Sequence, residues 1–208
     1  MSRDMQKARQ VSRRALLATI AASGAALVTF TAGQSFGWLA PLNLFAPRRQ
    51  GFGSQSLSVN KTAREAGVLA AAQAHDWRLS VRGPRGVVEL SRSRLERLPQ
   101  ATAILPIACV EGWSTWAEWG GIRMRDLISL AGGPVEAAVR ITSLERRGAY
   151  RVTTMGPEFA QDPATLVALR LNGETLDLDH GYPARIIAPG RPGVLQTKWL
   201  TSIEVMEA

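Results

Sequence analysis

The spacing of apolar positions changes several times along this chain, and each change predicts an element. No side chain is charged from Ala15 to Pro47. Residues 15–36 alone exceed the roughly 20 that cross a bilayer as a helix, so they predict a transmembrane anchor or signal helix. Residues 37–56 mix Pro, Gly and Ser with scattered apolar groups and read as a linker. From residue 57 the pattern turns globular. Thr62-Ala63-Arg64-Glu65 fits a capping box at the head of a short helix. Residues 77–81 alternate with period two and predict a strand, 82–86 a turn, and 87–90 the returning strand of a hairpin. Ser91 caps a polar helix over 92–98, ahead of Pro99. Residues 104–108 are an apolar run that reads as a buried strand ending at Cys109. A tryptophan-bearing loop follows, with Trp113, Trp116 and Trp119 three apart. An amphipathic helix over 124–130 comes next, and Gly132-Gly133-Pro134 stops it.

The second half is richer in strands. Residues 138–143 and 150–154 predict two, with Arg146-Arg147-Gly148 between them. Asp162-Pro163 opens a short helical turn, and 166–171 is an apolar strand. Asn172-Gly173 is the strongest hairpin signal in the chain. His180-Gly181-Tyr182-Pro183 is a loop, 185–188 an apolar strand, and the last strand runs over 199–206. Many short strands with a few short helices predict a mixed, β-rich α+β domain.

Composition sharpens this picture. The chain has 208 residues, 46% hydrophobic and 20% charged, so residues 57–208 suffice for one domain with its own core. The net charge of +8 suggests nucleic acid until it is placed: residues 1–14 carry +4, Arg48 and Arg49 add two, and the remainder is nearly balanced. No basic face for a phosphate backbone is expected. The N-terminal cluster favours a cytoplasmic N-terminus and a globular domain on the extracytoplasmic side of the cytoplasmic membrane. Ser12-Arg13-Arg14-Ala15-Leu16-Leu17 resembles a twin-arginine export signal. A plain anchor obeying the positive-inside rule stays open beside it. Phe30-Thr31-Ala32 makes a poor cleavage site, which favours an uncleaved single-pass anchor.

One cysteine gives no internal disulfide. Alone, Cys109 reads either as a small buried hydrophobe or as a ligand delivered at a strand end. Two separated segments change that balance. One is Ala108-Cys109-Val110-Glu111-Gly112-Trp113-Ser114. The other is His180-Gly181-Tyr182-Pro183-Ala184-Arg185-Ile186-Ile187-Ala188-Pro189-Gly190, followed by Gln196-Thr197-Lys198-Trp199-Leu200. Together they resemble the molybdopterin-binding domain of the sulfite oxidase family. The likeness is to the bacterial branch that includes the periplasmic methionine sulfoxide reductase catalytic subunit.

The resemblance implies a sulfite-oxidase-like fold holding a Mo-molybdopterin cofactor, one molybdenum on one pyranopterin dithiolene. It makes Cys109 the protein's thiolate ligand and places Asn60, Lys61, Thr62, Ser143, His180, Arg185, Gln196, Thr197 and Lys198 around the pterin and its phosphate. At Ser143 a one-residue slip to Thr142 is open. Trp113 and Trp116 stand nearest the metal, and Glu111 and Tyr150 are candidates for the surrounding shell. Blander readings remain at each position. His180 is then a loop histidine bonded to backbone, Arg185 a strand arginine in a surface pair, Lys198 a solvated cation and Asn60 a helix cap. The tryptophans are then core on one helical face.

Departures from the family pattern shape the expected function. No arginine follows Cys109 in the run Val110–Ser114, so sulfite is a poor substrate expectation and a sulfoxide or another small oxo donor or acceptor a better one. The chain has no CxxCH haem motif, so electrons are expected to pass to or from a separate redox partner such as a membrane cytochrome b. The rival is a membrane-tethered binding or scaffold module that keeps the fold without catalysis.

Overall fold

A computed structural model describes residues 54–108 and 114–206. The apolar run at 15–36, the paired arginines before it, and Cys109, Glu111 and Trp113 lie outside the described residues. Among the described residues no helix is long and apolar enough to cross a membrane.

The period-two pattern at 77–90 becomes the hairpin of β1 (Arg78–Gly83) and β2 (Gly86–Ser91), with Leu79, Val81 and Leu90 turned inward and Arg78, Arg82 and Glu89 outward. Ser91 Oγ accepts from Arg94 N at 3.2 Å and caps α2 (Arg92–Arg97), as its position before a polar helix predicts. The earlier α1 (Leu69–Ala72) is a single turn. Both arms of the capping box form, Thr62 N to Glu65 Oε2 at 2.7 Å and Glu65 N to Thr62 Oγ1 at 3.2 Å. They close a hydrogen-bonded turn over 63–67 rather than a helix, because Gly67 at φ +68° ends it at once.

The strands form two sheets. The first runs β2–β1–β10–β5–β6, with β5 (Val139–Ser143), β6 (Val152–Met155) and β10 (Leu200–Val205); β1 and β10 are parallel and the other pairs antiparallel. The second runs β3–β4–β7, with β3 (Ala101–Ala108), β4 (Ser114–Arg123) and β7 (Leu166–Leu171). The far edge of β7 is shared. β8 (Glu174–Thr175) pairs at Arg170 and Leu171, and β9 (Arg185–Ile187) pairs from Leu166 to Ala168. Asn172 (φ +51°) and Gly173 (φ +80°) both take the left-handed region, the I′-type turn that this dipeptide predicts.

The four-residue apolar run Leu166–Leu169 of β7 has a direct cause. Val167 and Leu169 join the main core with Leu79, Ile141, Leu127 and Ile203, while Leu166, Ala168 and Leu171 join a second core with Leu105, Trp119 and Ile187. The strand is buried on both faces, so neither set of alternate positions is polar.

Two expectations are corrected. The expected tryptophan loop is not a loop from Ser114 onward: the chain there is the ten-residue strand β4, antiparallel to β3 from Ala101↔Gly121 to Ala108↔Ser114. A spacing of three, in phase on a helix, places Trp116 and Trp119 on opposite faces of a strand. Trp116 is 70% exposed and Trp119 fully buried. The helix near 162 falls earlier, as α4 (Pro157–Ala160), and Asp162 instead makes an Asx turn, its Oδ1 accepting from Ala164 N at 2.7 Å. The amphipathic helix α3 (Met124–Leu130) lies where its pattern places it. Pro106 sits on β3, an edge of its sheet, where its missing N–H costs no ladder bond.

Candidate functional site

A cleft of about 350 Å³ opens where four stretches of chain converge. The segment entering the domain contributes Leu57, Ser58, Asn60 and Lys61. β3 contributes Ile107, two residues before Cys109. The end of β5 and the connection after it contribute Ser143, Glu145, Gly148, Ala149 and Tyr150. His180, Arg185 and the stretch Gly193, Val194, Gln196, Thr197 and Lys198 complete it. Thr62 and Trp116 are described candidates that do not line the cleft; the Thr62 hydroxyl is engaged with Glu65, and Trp116 is an exposed residue of β4.

Arg185 is the most unusual group in the cleft. β9 carries it inward, and it is only 4% exposed. Its Nη1 donates to the His180 carbonyl at 3.0 Å and its Nη2 lies 3.5 Å from the Gln196 carbonyl. Its guanidinium carbon stands 5.0 Å from the centre of the Trp119 ring, a cation–π contact. Among the described residues no carboxylate pairs with it, and its Nε is buried without a partner. Burial pushes its pKa down to about 9, which leaves it charged at neutral pH. It is not the surface ion pair that a strand arginine suggests. Gln196 shows the same incompleteness. Its Nε2 donates to Arg191 O at 3.0 Å, but its Oε1 is buried and unpartnered.

Lys198 is tied down rather than solvated. Its Nζ donates to Lys61 O at 2.6 Å, to Asp179 O at 2.9 Å and to Asn60 Oδ1 at 3.3 Å, above the Trp199 ring at 4.6 Å. Ser143 Oγ donates to the Lys198 carbonyl at 2.8 Å, which places Ser143, not Thr142, on the cleft wall. Asn60 therefore supports Lys198 instead of capping a helix. Lys61 is paired with Glu145 across the sequence from the opposite wall.

Burial, then Arg185, pushes the Lys198 ammonium down to about 7; Lys61 acts in the same direction, and Asp179 and Glu145 oppose it. An anion in the cleft favours the charged form, so its binding takes up a proton above about pH 7. Affinity for pyrophosphate, measured calorimetrically, is expected to fall as pH rises from about 7 to about 9, and Lys198→Met is expected to flatten that fall. Stability of the ligand-free domain runs the other way. The unfolded chain holds the Lys198 proton up to about 10.5 and the folded one only to about 7, so this group adds stability as pH rises between them.

His180 is 1% exposed, with Nε2 2.6 Å from the Ser54 carbonyl. Burial lowers its pKa; the ring is neutral at pH 7, Nε2–H donates and Nδ1 remains an acceptor. The backbone-bonded reading of His180 thus holds together with its place in the cleft. Thr197 Oγ1 is 3.1 Å from Thr153 Oγ1. Tyr150, expected in the surrounding shell, does line the cleft, whereas Gly148, Ala149, Gly193 and Val194 carry no motif that announces them. They enter the wall because the connections holding them are fixed by neighbours, as Ser143 N is by Arg151 O at 2.9 Å.

A buried guanidinium without a carboxylate, an unmet Nε, an unmet amide oxygen on Gln196, and a second cation at the wall make a site for an anionic ligand rich in hydrogen-bonding groups. The cleft volume suits a small cofactor. Among the described residues no cluster of His, Cys, Asp and Glu forms a metal site by itself.

A family model described as oxidoreductase molybdopterin binding domain matches residues 66–208, a span that includes all ten strands of the described residues. The chain is 35% identical over 104 residues to sulfite oxidase of Arabidopsis thaliana, covering 43% of this chain and 26% of that one. It is 30% identical over 159 residues to mouse mitochondrial sulfite oxidase, covering 63% and 29%. It is 27% identical over 111 residues to a putative protein-methionine-sulfoxide reductase subunit of Azospira oryzae, covering 53% and 41%. In structure it resembles the sulfane dehydrogenase SoxCD from Paracoccus pantotrophus, with a TM-score of 0.56 at 23% identity over 63% of this chain and 38% of that one, a likeness of fold. The chain thus spans between about a quarter and two fifths of the length of these relatives. With its strands, its cleft and both sequence segments inside or beside the matched span, the chain belongs to the oxidoreductase molybdopterin-binding domain family, that of the sulfite oxidases.

Proposed function

We propose that this chain binds the Mo-molybdopterin cofactor in its cleft and serves an oxidoreductase that moves an oxygen atom to or from a small, sulfoxide-like substrate. Electrons are exchanged with a separate redox partner, for which a membrane cytochrome b is the proposed kind. The observation that carries the reading is Arg185: a buried cation with no carboxylate and an unmet donor, in a cleft that also gathers Asn60, Lys61, Ser143, His180, Gln196, Thr197 and Lys198. When bound, the cofactor supplies the change of oxidation state and the oxygen-atom exchange.

The chain's own residues bind and orient. Arg185 supplies a buried positive charge for a phosphate group, and its guanidinium packs on the Trp119 ring. Gln196 Oε1 and His180 Nδ1 are acceptors for ring N–H groups. Lys198 holds the segment at Asn60 and Lys61 against the turn at Asp179, which fixes the width of the cleft. Cys109, two residues beyond the cleft-lining Ile107, is the proposed metal ligand; a soft thiolate suits a soft, redox-active metal. Trp113 and Glu111 stay proposed as its neighbours, and Thr62 as a peripheral contact. The sulfoxide-like class is supported by the absence of an arginine at 110–114 and by the likeness to the putative protein-methionine-sulfoxide reductase subunit of Azospira oryzae. The uncharged run at 15–36 and its basic flank support an extracytoplasmic domain anchored in the cytoplasmic membrane.

One preparation tests both parts. The full chain, made in a host that synthesises the cofactor, is expected to resist alkaline carbonate washing of membranes and to carry about one molybdenum per chain. Cys109→Ala is expected to stay in the washed membranes and lose the metal. Wild-type chain without molybdenum would overturn the oxidoreductase reading in favour of a cofactor-free module. Release by carbonate would overturn only the anchor.

A further inference from the structure

Three guanidinium groups at the rim of the cleft take no part in the site described above. The β5–β6 connection, residues 144–151, carries Glu145, Arg146, Arg147 and Arg151. Glu145 is neutralised by Lys61. Arg146, Arg147 and Arg151 are exposed, and among the described residues none of them is in an ion pair. Residues 50–208 as a whole are nearly balanced in charge, so three uncompensated cations on one short connection are a local excess.

The connection holds these charges in a defined place. Ser143 N donates to Arg151 O at 2.9 Å, Arg151 N to Gly148 O at 3.3 Å, Leu144 N to Trp199 O at 2.7 Å and Glu145 N to Ser143 Oγ at 3.2 Å. Gly148, at φ +117°, supplies the reversal that lets the turn close. The same connection sends Gly148, Ala149 and Tyr150 into the cleft wall, and Tyr150 is still 53% exposed. A body resting on the arginines therefore stands at the cleft mouth and meets an aromatic ring there. Arg and Tyr are the residues that most often anchor protein interfaces.

We propose that the β5–β6 connection is the docking surface for the redox partner, and that the partner is a protein presenting an acidic face. The inference rests on the reading of the cleft as a redox site. Opposite charge steers encounter and fixes orientation, and a dock on the connection that lines the cleft places the partner's electron carrier at the cleft mouth.

The test uses the full chain in detergent, with two soluble redox proteins of opposite charge as probes, an acidic flavodoxin and basic cytochrome c. At low salt the chain is expected to bind flavodoxin and not cytochrome c, and to lose flavodoxin at high salt. The triple variant R146E/R147E/R151E is expected to weaken flavodoxin binding about tenfold or more and to gain cytochrome c, with molybdenum content and melting temperature unchanged. If the reversal lowers the melting temperature, the variant with all three arginines changed to Gln is read instead. Equal binding of flavodoxin by wild type and variant overturns the proposal. So does retention by vesicles of phosphatidylserine and phosphatidylcholine with no binding of flavodoxin, which assigns the rim to lipid. A chain without molybdenum refutes the redox reading by a separate measurement, because binding of the probes is read independently of the metal.

Discussion

Replacing Arg185 with methionine is expected to leave the domain folded while emptying its cleft. The guanidinium is buried with no carboxylate beside it, so in the ligand-free chain its charge is an unrelieved cost of burial. Methionine keeps the straight stem against the Trp119 ring and removes that cost. It also leaves the His180 carbonyl without its 3.0 Å donor, a loss of about 1–3 kcal/mol. The two effects oppose each other, and a net change in unfolding free energy within about 2 kcal/mol is expected by urea titration. Cofactor binding has no such offset. A buried, charge-assisted donor to phosphate contributes about 1.5–3 kcal/mol, and with Lys61 paired to Glu145 and only Lys198 otherwise cationic at the wall, molybdenum content is expected to fall by at least about tenfold. Arg185→Lys should restore little, since an ammonium lacks the planar fork that reaches both carbonyls and the ligand. A variant that unfolds outright, or one that retains full molybdenum, would remove Arg185 from the site.

Gly121→Ala is expected to have the largest effect on the fold of any single-methyl addition in the second sheet. A Cβ at Gly121 would stand 2.1 Å from Val167 O and 2.7 Å from Ala168 Cα. Both are backbone atoms of the central strand β7, which cannot turn aside as a side chain would. The register explains the closeness. Gly120 pairs with Arg170 and Gly121 with Ala168, so Leu169 is an extra residue in β7 and the strand bulges towards β4. Its carbonyl is put to use there, accepting from Leu176 N at 3.1 Å and Arg92 Nη2 at 3.0 Å. A loss of about 3 kcal/mol or more is expected, read as a drop in the urea midpoint. The neighbouring Gly120→Ala is the control. There the nearest atoms are the Arg170 side chain at 3.4 Å and beyond, and a change below about 1 kcal/mol is expected.

That glycine pair also explains the one large misreading of the pattern. Gly120-Gly121 after three tryptophans looks like a flexible loop, because glycine lowers strand propensity and a spacing of three has no meaning on a strand. Gly121 is there for a bulge on a strand some 50 residues later, which no local window contains. Elements whose cause is local are legible, such as the Ser91 cap, the Asn172-Gly173 turn and the alternation of β1 and β2. The site divides in the same way. Types of residue at 180–190 and 196–198 announce their chemistry through the family resemblance. The pairing of Lys61 with Glu145, 84 residues apart, and the grip of Lys198 on Lys61, 137 residues apart, are consequences of topology. The cleft wall at Gly148, Ala149, Gly193 and Val194 is shape made by backbone, and shape of that kind leaves no mark in side-chain chemistry.

The position of β10 sets the order in which this domain can be built. It is nearly the last stretch of the chain, yet it lies between β1 and β5, parallel to one and antiparallel to the other. Until it emerges from the ribosome, the first sheet is two separate hairpins, each too small to be stable by itself. Ordering them waits for contacts of high sequence separation, which form slowly. Leu200, the first residue of β10, also bonds through its N–H to Ala184 O at 2.9 Å and through its carbonyl to the Trp77 indole at 3.0 Å. The same closing step therefore seats Arg185 and Lys198. A nascent chain stopped short of Leu200 has no cleft to load, and cofactor insertion becomes an event that follows the emergence of β10.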